Sequence, residues 1–210
     1  MTRGPRPFWN GIASRLVPSR VYHSSVTDVP HDKLEPLRLL AAKQRLGLIL
    51  SEDIPPICDQ LLKDGVYSPS LAELALNPEP IMSDVEPMLE KALAEVGIPS
   101  FSVDDAFSKV ATDIAKRLAC DDAPFSVLEE CVAVERSEYF MGSLGAADRP
   151  KAKRACDFIW RCYGAHLDVT DFDPEFQPPQ LSTEAARWDY LRPIMQQAAR
   201  DWLAGKPIRE

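Results

Sequence analysis

The chain has 210 residues, which suits a single domain, and its 45% hydrophobic and 27% charged residues are typical of a globular protein. The formal net charge of −8 disfavours nucleic-acid binding, because such binding depends on Lys and Arg contacts with phosphates. Gly is scarce, with 9 residues, and Pro is frequent, with 19, which favours short helices over hairpin-rich sheets. We therefore predict an all-α fold, a compact bundle of roughly seven short to medium helices with Pro-started helical hairpins.

The charge is unevenly distributed along the chain. Residues 1–27 contain four Arg and no Asp or Glu, so they carry a formal +4 and the remaining chain carries −12. A segment that is rich in Arg and Ser and lacks acid is also typical of organelle transit peptides. We interpret residues 1–27 as a basic tail, either disordered or targeting-like, that precedes a single helical domain over residues 28–210.

The cysteines and the apolar runs bear on the compartment. Five cysteines are an odd number, and no two are closely spaced, which favours reduced thiols. No apolar run approaches the roughly 20 residues that span a bilayer, and the N-terminus lacks the apolar core of a secretion signal. We therefore expect a cytoplasmic protein without a membrane partner, with organelle targeting by residues 1–25 as the alternative.

The first predicted helices form a hairpin. One helix is predicted over 32–50, where Asp32 is the candidate N-cap residue. It stops at a polar break, and Pro55 and Pro56 then open a second helix that ends at Gly65.

Two further helix starts have clear capping patterns. Ser68, followed by Pro69, begins a short helix. Ser83 and Glu86 match a capping box at the start of a longer helix that ends at Gly97.

The next pair of helices is predicted from apolar residues at intervals of three and four. Ser102 is the N-cap residue of the first helix, and Pro124 opens the second. The residues predicted to face the core of the first helix are Val103, Ala106, Phe107, Val110, Ala111, Ile114 and Leu118.

The last part of the chain contains two helices separated by a long acidic segment. A mixed helix is predicted over 150–165, followed by a loop through 168–180. Ser182 or Thr183 then opens a final amphipathic helix, whose predicted inward residues begin with Ala185.

No residues have the spacing that catalysis, metal binding or phosphate binding requires. The three histidines, His23, His31 and His166, lie far apart and outside any zinc-binding pattern. We predict no catalytic residue, no metal site and no cofactor. The chain is therefore interpreted as non-catalytic, and an enzyme whose site is built from scattered carboxylates is kept as an alternative.

Four acidic residues follow the seventh predicted helix. Asp168, Asp171, Asp173 and Glu175 lack the glycine and the closing glutamate of a calcium-binding loop. An acidic loop is suited instead to a basic protein partner, because loops present charge without disturbing a core. We predict that these four residues contact such a partner.

One basic and aromatic cluster supports a different hypothesis. Basic residues are interleaved with aromatic ones, a composition found in nucleic-acid-binding proteins: Arg149, Lys151, Lys153, Arg154 and Arg161 with Phe158, Trp160 and Tyr163. Of these, Lys151, Lys153 and Arg154 are the candidate contacts. The simpler interpretation places the aromatic residues in the core and pairs the basic residues with nearby acids. Nucleic-acid association is therefore the alternative to protein binding.

Turn and packing motifs over about residues 38–135 match a recognisable layout. It consists of an LLxxG helix end at 61–65, an LxELA helix at 71–75 and a Val-Gly-Ile-Pro turn at 96–99. With this layout the chain resembles a loosely defined set of small all-helical bacterial proteins. The resemblance implies a helical fold and carries no active site. Small acidic helical proteins include immunity proteins of toxin systems, so the functional hypothesis is a protein-binding chain, in one form an immunity-type inhibitor of a basic toxin.

Overall fold

A computed structural model describes residues 32–137, 139–140, 149–170 and 181–208. The described residues form eight α-helices and a short 3-10 turn at Ser51–Asp53, and they contain no strand. The prediction of an all-α fold is confirmed. The helices are α1 (Glu35–Arg45), α2 (Ile54–Lys63), α3 (Pro69–Ala75), α4 (Met82–Glu95), α5 (Val103–Leu118), α6 (Ser126–Glu135), α7 (Pro150–Thr170) and α8 (Glu184–Leu203).

The buried side chains form two hydrophobic clusters. The N-terminal cluster joins α1 to α2, α3 and α4, and its members include Leu37, Leu40, Ile54, Leu61, Leu71, Leu74 and Leu89. The C-terminal cluster joins α5 to α6, α7 and α8, and its members include Phe107, Ile114, Leu118, Phe140, Phe158, Trp188, Leu191 and Trp202. Helix α1 contributes to both clusters, because Leu37 and Leu40 lie in the first while Ala42, and Leu46 directly after the helix, lie in the second.

Glycines in the left-handed conformation end four of the helices. Gly65, Gly97 and Gly205 stop α2, α4 and α8, as predicted for Gly65 and Gly97. The prediction of one helix over 32–50 is wrong, because Gly47 ends α1 in the same way, with a φ of 67°. The amide of Leu48 donates to the carbonyl of Lys43 at 2.9 Å, which is the bond of a Schellman motif.

Serine and threonine side chains cap three of the helices. Ser68 Oγ accepts from the amide of Leu71, and Ser102 Oγ accepts from the amide of Asp105, both at 3.1 Å. Thr183 caps α8 in the same way. These N-caps confirm the predicted helix starts, since each satisfies a backbone donor that has no partner within the helix.

Two predicted caps do not form. Helix α4 begins at Met82, so Ser83 lies inside the first turn, and its hydroxyl donates to Asp84 instead of accepting from the backbone. The predicted capping box is therefore wrong. Helix α1 likewise has no side-chain cap, because Asp32 accepts the amide of Glu35 through its main-chain carbonyl.

Three further boundaries or faces differ from the prediction. Helix α6 begins at Ser126 rather than at Pro124, whose carbonyl accepts the amide of Val127 in a preceding turn. Helix α7 continues to Thr170, because Val169 is buried and extends its apolar face. Ala185 is exposed rather than inward, since α8 first contacts the core at Trp188.

An ionic network ties α1, α5 and α6 together at the surface. Arg117 contacts Glu130 through both terminal nitrogens, at 3.0 and 2.5 Å, and Asp113 at 2.8 Å. Lys43 of α1 lies 3.4 Å from Glu130. The network therefore fixes α6 against α5 by a two-pronged guanidinium–carboxylate contact.

Within the ranges given above, none of the helices combines the length and the apolar character that a membrane span requires.

Candidate functional site

A groove lies between α1, α4 and the turn that follows α4. Its volume is about 650 Å³. Apolar side chains of both helices form part of its wall, and the turn adds Ile98 and Phe101. The residues lining the groove are Ala41, Gln44, Arg45, Gly47, Glu86, Glu90, Leu93, Ala94, Ile98, Ser100, Phe101 and Tyr139.

Two carboxylates stand on the α4 side of this groove. Glu86 and Glu90 are exposed, lie one helical turn apart, and make no ion pair with any described residue. Like charges at this spacing repel each other and weaken a helix by a few tenths of a kcal/mol. Lys91 of the same helix lies 4.0 Å from Glu95 instead. The two carboxylates are therefore available to a cation from outside the described chain.

The single cation among the groove-lining residues is already engaged. The guanidinium of Arg45 lies over the ring of Tyr139, 5.7 Å from its centroid. Such a contact draws the guanidinium toward the negative face of the ring. Arg45 and Tyr139 therefore form one wall of the groove, and the carboxylates of Glu86 and Glu90 stand on another.

The segment that leads into α4 adds exposed apolar surface. Leu76 is 82% exposed and Ile81 is 62% exposed, which is high for large apolar side chains. Glu79 and Asp84 lie beside them in the sequence and make no ion pair within the described residues. We use the name acidic face for Glu86 and Glu90, which share one side of α4 and line the groove. Apolar side chains beside carboxylates are the composition of a protein-binding surface.

Glu95, at the end of α4, has a different role. Its carboxylate accepts from the amide of Ser70 at 3.1 Å and from the hydroxyl of Ser70 at 3.0 Å. Burial raises the pKa of Glu95, but the hydrogen bonds from Ser70 and Ser68 outweigh burial and lower it. Glu95 therefore stabilises the start of α3 and is not available to a partner.

The four acidic residues predicted to contact a partner cannot be placed in the structure. Asp171, Asp173 and Glu175 lie outside the described residues. The backbone of Asp168 belongs to α7, and its side chain is not among those described. Their role in partner binding stays a prediction.

The structure places the three basic residues of the nucleic-acid alternative on α7. Lys151 lies 3.1 Å from Asp105, and Lys153 lies 2.7 Å from Asp157. Arg154 donates to the carbonyl of Trp202 at 2.7 Å and lies over its ring. All three cations therefore already have partners within the chain.

The aromatic residues of the same segment differ in exposure. Phe158 is buried in the C-terminal cluster, while Trp160 is 45% exposed and stacks on Phe140 at 6.3 Å between ring centroids. Phe158 is thus part of the core, as the simpler interpretation of the sequence expects.

Sequence reasoning missed the groove for a specific reason. It assigned Glu86 to a capping box, which would have tied that side chain to the backbone, whereas the structure leaves it exposed. The spacing of Glu86 and Glu90 was a usable signal, since two acids one turn apart share a helix face. The opposing wall comes from α1 and Tyr139, which are distant in sequence.

Among the described residues, no group of three or more His, Cys, Asp or Glu side chains is arranged to hold a metal ion. Comparison with models of known protein families, with curated proteins and with solved structures finds no match.

Proposed function

We propose that this chain is a non-catalytic protein that binds a basic protein partner through the acidic face and the adjoining groove. The observation that carries the proposal is the pair Glu86 and Glu90, two exposed carboxylates on one helix face that no described cation neutralises. An immunity-type inhibitor of a basic toxin is one biological form of this function. In that form the acidic face would cover a basic active surface of the toxin.

The chemistry of the groove suits an extended basic segment with apolar side chains. Lys or Arg of such a segment would pair with Glu86 and Glu90, while its apolar side chains would contact Leu93, Ile98 and Phe101. Charge complementarity of this kind raises the rate of encounter more than it raises affinity. Glu86 and Glu90 are exposed at the groove, so their carboxylates can be reached from solvent.

The two alternative functions have less support among the described residues. Three cations of the nucleic-acid hypothesis, Lys151, Lys153 and Arg154, are paired with Asp105, Asp157 and the end of α8. Glu86 and Glu90 would repel a phosphate backbone. An enzyme with scattered carboxylates requires an acid in a desolvated setting, whereas these two carboxylates are exposed.

The test compares a double variant with a charge-matched control. Affinity capture from the source cell uses three proteins: wild type, Glu86→Gln/Glu90→Gln and the control Glu129→Gln/Glu184→Gln. Binding kinetics are then measured with the captured protein. Glu129 lies on α6 and Glu184 on α8. Both are exposed, and neither forms an ion pair with a described residue. Both variants lose two negative charges, so a difference between them reports position rather than net charge.

We expect the double variant to slow association about tenfold at low salt, with a smaller difference at high salt, because salt screens long-range attraction. The control should associate at nearly the wild-type rate. Equal capture by the two variants would contradict the proposal. Recovery of RNA or DNA that is lost on replacing Lys151, Lys153 and Arg154 would establish the nucleic-acid alternative instead.

A further inference from the structure

A second and larger cleft lies between α7, α8 and the C-terminal segment, which we define as residues 206–208. Its volume is about 790 Å³, within the range of small-molecule sites. One face of α8 forms a wall through Pro193, Ile194 and Ala198, and Pro207 and Ile208 of the C-terminal segment close another. These five residues give the cleft an apolar wall, and the other four lining residues, Arg161, Gln197, Asp201 and Lys206, are polar or charged.

Arg161 of α7 lines this cleft and is half-buried. No described residue pairs with its guanidinium. Three other Arg residues of this region have partners: Arg154 binds the end of α8, Arg192 lies 2.7 Å from Asp189, and Arg200 lies 3.9 Å from Asp121. Among the described residues Arg161 is therefore a half-buried cation without a counter-ion, which is an unfavourable arrangement.

A second cation stands on the same cleft. Lys206 has only a long contact of 3.7 Å with Asp201, and its side chain is 66% exposed. Asp201 is also the acceptor of a hydrogen bond from Gln197 Nε2 at 3.1 Å. The described lining residues therefore carry two positive charges and one negative charge, that of Asp201, which leaves a net attraction for one anion.

The C-terminal wall is held in place by its own hydrogen bonds. Gly205 turns the chain back with a φ of 71°, and the amide of Lys206 donates to the carbonyl of Asp201 at 2.9 Å. Arg154 donates to the carbonyl of Trp202 at 2.7 Å, and Ile208 packs against the C-terminal cluster. The cleft is therefore pre-formed, which reduces the entropy lost when a ligand binds.

We propose that this cleft binds a small amphipathic carboxylic acid, with the carboxylate on Arg161 and Lys206 and the apolar body along Pro193, Ile194 and Ile208. A guanidinium donates two parallel hydrogen bonds to a carboxylate, which Lys cannot reproduce. The apolar wall selects against small inorganic anions, because they leave that wall unfilled. The proposal concerns a different surface from the acidic face and does not depend on it.

The test is calorimetric titration of the full chain with sodium octanoate below its micelle concentration. Octanol and inorganic phosphate are titrated in parallel. Octanol has the alkyl chain of octanoate without its negative charge, and phosphate has a negative charge without an alkyl chain. We expect octanoate to bind at least tenfold more tightly than either. Arg161→Gln should weaken octanoate binding at least tenfold, as expected for loss of a charged hydrogen bond.

Further variants test whether octanoate binding depends on the charge or on the guanidinium geometry of residue 161. Arg161→Lys should recover part of the affinity, and the control Arg192→Gln, which lies outside the cleft lining, should bind like wild type. An amide NMR titration of the wild type locates the ligand independently, through the side-chain amide of Gln197 and the backbone amide of Ile208. Absence of octanoate binding, equal binding of phosphate, or unchanged binding by folded Arg161→Gln would overturn the proposal.

Discussion

Phe107 is one of the largest side chains that the fold buries completely. It lies in the C-terminal cluster and contacts Phe140 edge-on, with 6.4 Å between the ring centroids. We expect Phe107→Ala to lower the free energy of unfolding by about 3 to 5 kcal/mol, because it removes buried area and leaves a cavity. Urea titration measures the loss. Tyr190→Ala, at a position that is 55% exposed, is the matched control and should stay within about 0.5 kcal/mol of wild type.

Glu130 is expected to make stability depend on acid pH. Burial raises the pKa of its carboxyl, but Arg117 and Lys43 outweigh burial and hold the pKa below the ordinary value of 4.5. The pKa of Glu130 is lower in the folded state than in the unfolded state. Its carboxylate therefore stabilises the fold fully above pH 4.5, and this stabilisation is lost as the pH falls through the folded-state pKa. Glu130→Gln should therefore cost about 1 to 2 kcal/mol at pH 7, a value discounted for partial exposure, and less below pH 4.

The neighbouring residue provides the control for this pH dependence. Glu129 is exposed and makes no described ion pair, so Glu129→Gln changes the same charge without breaking the network. Unfolding free energies are measured for both variants between pH 7 and pH 3. If the unfolding free energies of Glu130→Gln and wild type differed by the same amount at every pH in that range, the ionised Glu130–Arg117 contact would not contribute to stability.

The five cysteines should differ sharply in reactivity. Cys120 is exposed, whereas Cys58, Cys131, Cys156 and Cys162 are buried, and all five are free. Burial raises the pKa of Cys58 to about 11 and that of Cys156 to about 12, which suppresses the reactive thiolate. We expect iodoacetamide at pH 8 to add one group to the native protein and five after unfolding. Mass spectrometry counts the groups, and Cys120→Ser should remain unmodified while native.

At the scale of the helices, glycine has opposite effects at two positions. Gly97 ends α4 with a φ of 75°, a conformation that a Cβ disfavours, whereas Gly164 lies inside α7 with open space at its Cβ position. Gly97→Ala should cost about 1 kcal/mol, and Gly164→Ala should add about 0.5 to 1 kcal/mol. Thermal melts of the two variants should therefore move in opposite directions, and shifts of the same sign would contradict the assigned helix end.

Helix starts and ends were predictable where the signal was local. The caps at Ser68 and Ser102 and the stop at Gly97 each depend on a few adjacent residues, and all three are present. The start of α4 was not predictable from Ser83, because Ile81 already adopts the extended cap conformation. A capping pattern shifted by two residues is equally compatible with the local sequence, and packing of the helix decides between them.

At the scale of the whole molecule, the two hydrophobic clusters should unfold together. Helix α1 contributes Leu37 and Leu40 to one cluster, while Ala42 and the C-cap residue Leu46 belong to the other, so neither cluster is complete without it. Leu89→Ala in the N-terminal cluster should therefore shift one common transition by about 2 to 5 kcal/mol.

Tryptophan fluorescence makes that prediction specific. Trp188 and Trp202 belong to the C-terminal cluster, far in sequence from Leu89, and Trp160 stacks on Phe140 of the same cluster. The fourth tryptophan, Trp9, lies outside the described residues, so Trp9→Phe is included in both proteins. The midpoints observed by fluorescence and by circular dichroism should fall together in Leu89→Ala. A fluorescence midpoint that stays at the wild-type value would show that the two clusters unfold separately.

The sequence by itself determined the helical class, three of the side-chain caps and the buried face of α5, because these depend on residues within a few turns of each other. Only the tertiary structure decided the two candidate sites. The first groove is lined by residues of both α1 and α4, and the second cleft is lined by both Arg161 and Lys206, which is 45 residues further along the chain. A one-dimensional pattern records which residues share a helix face, but it does not record which faces meet.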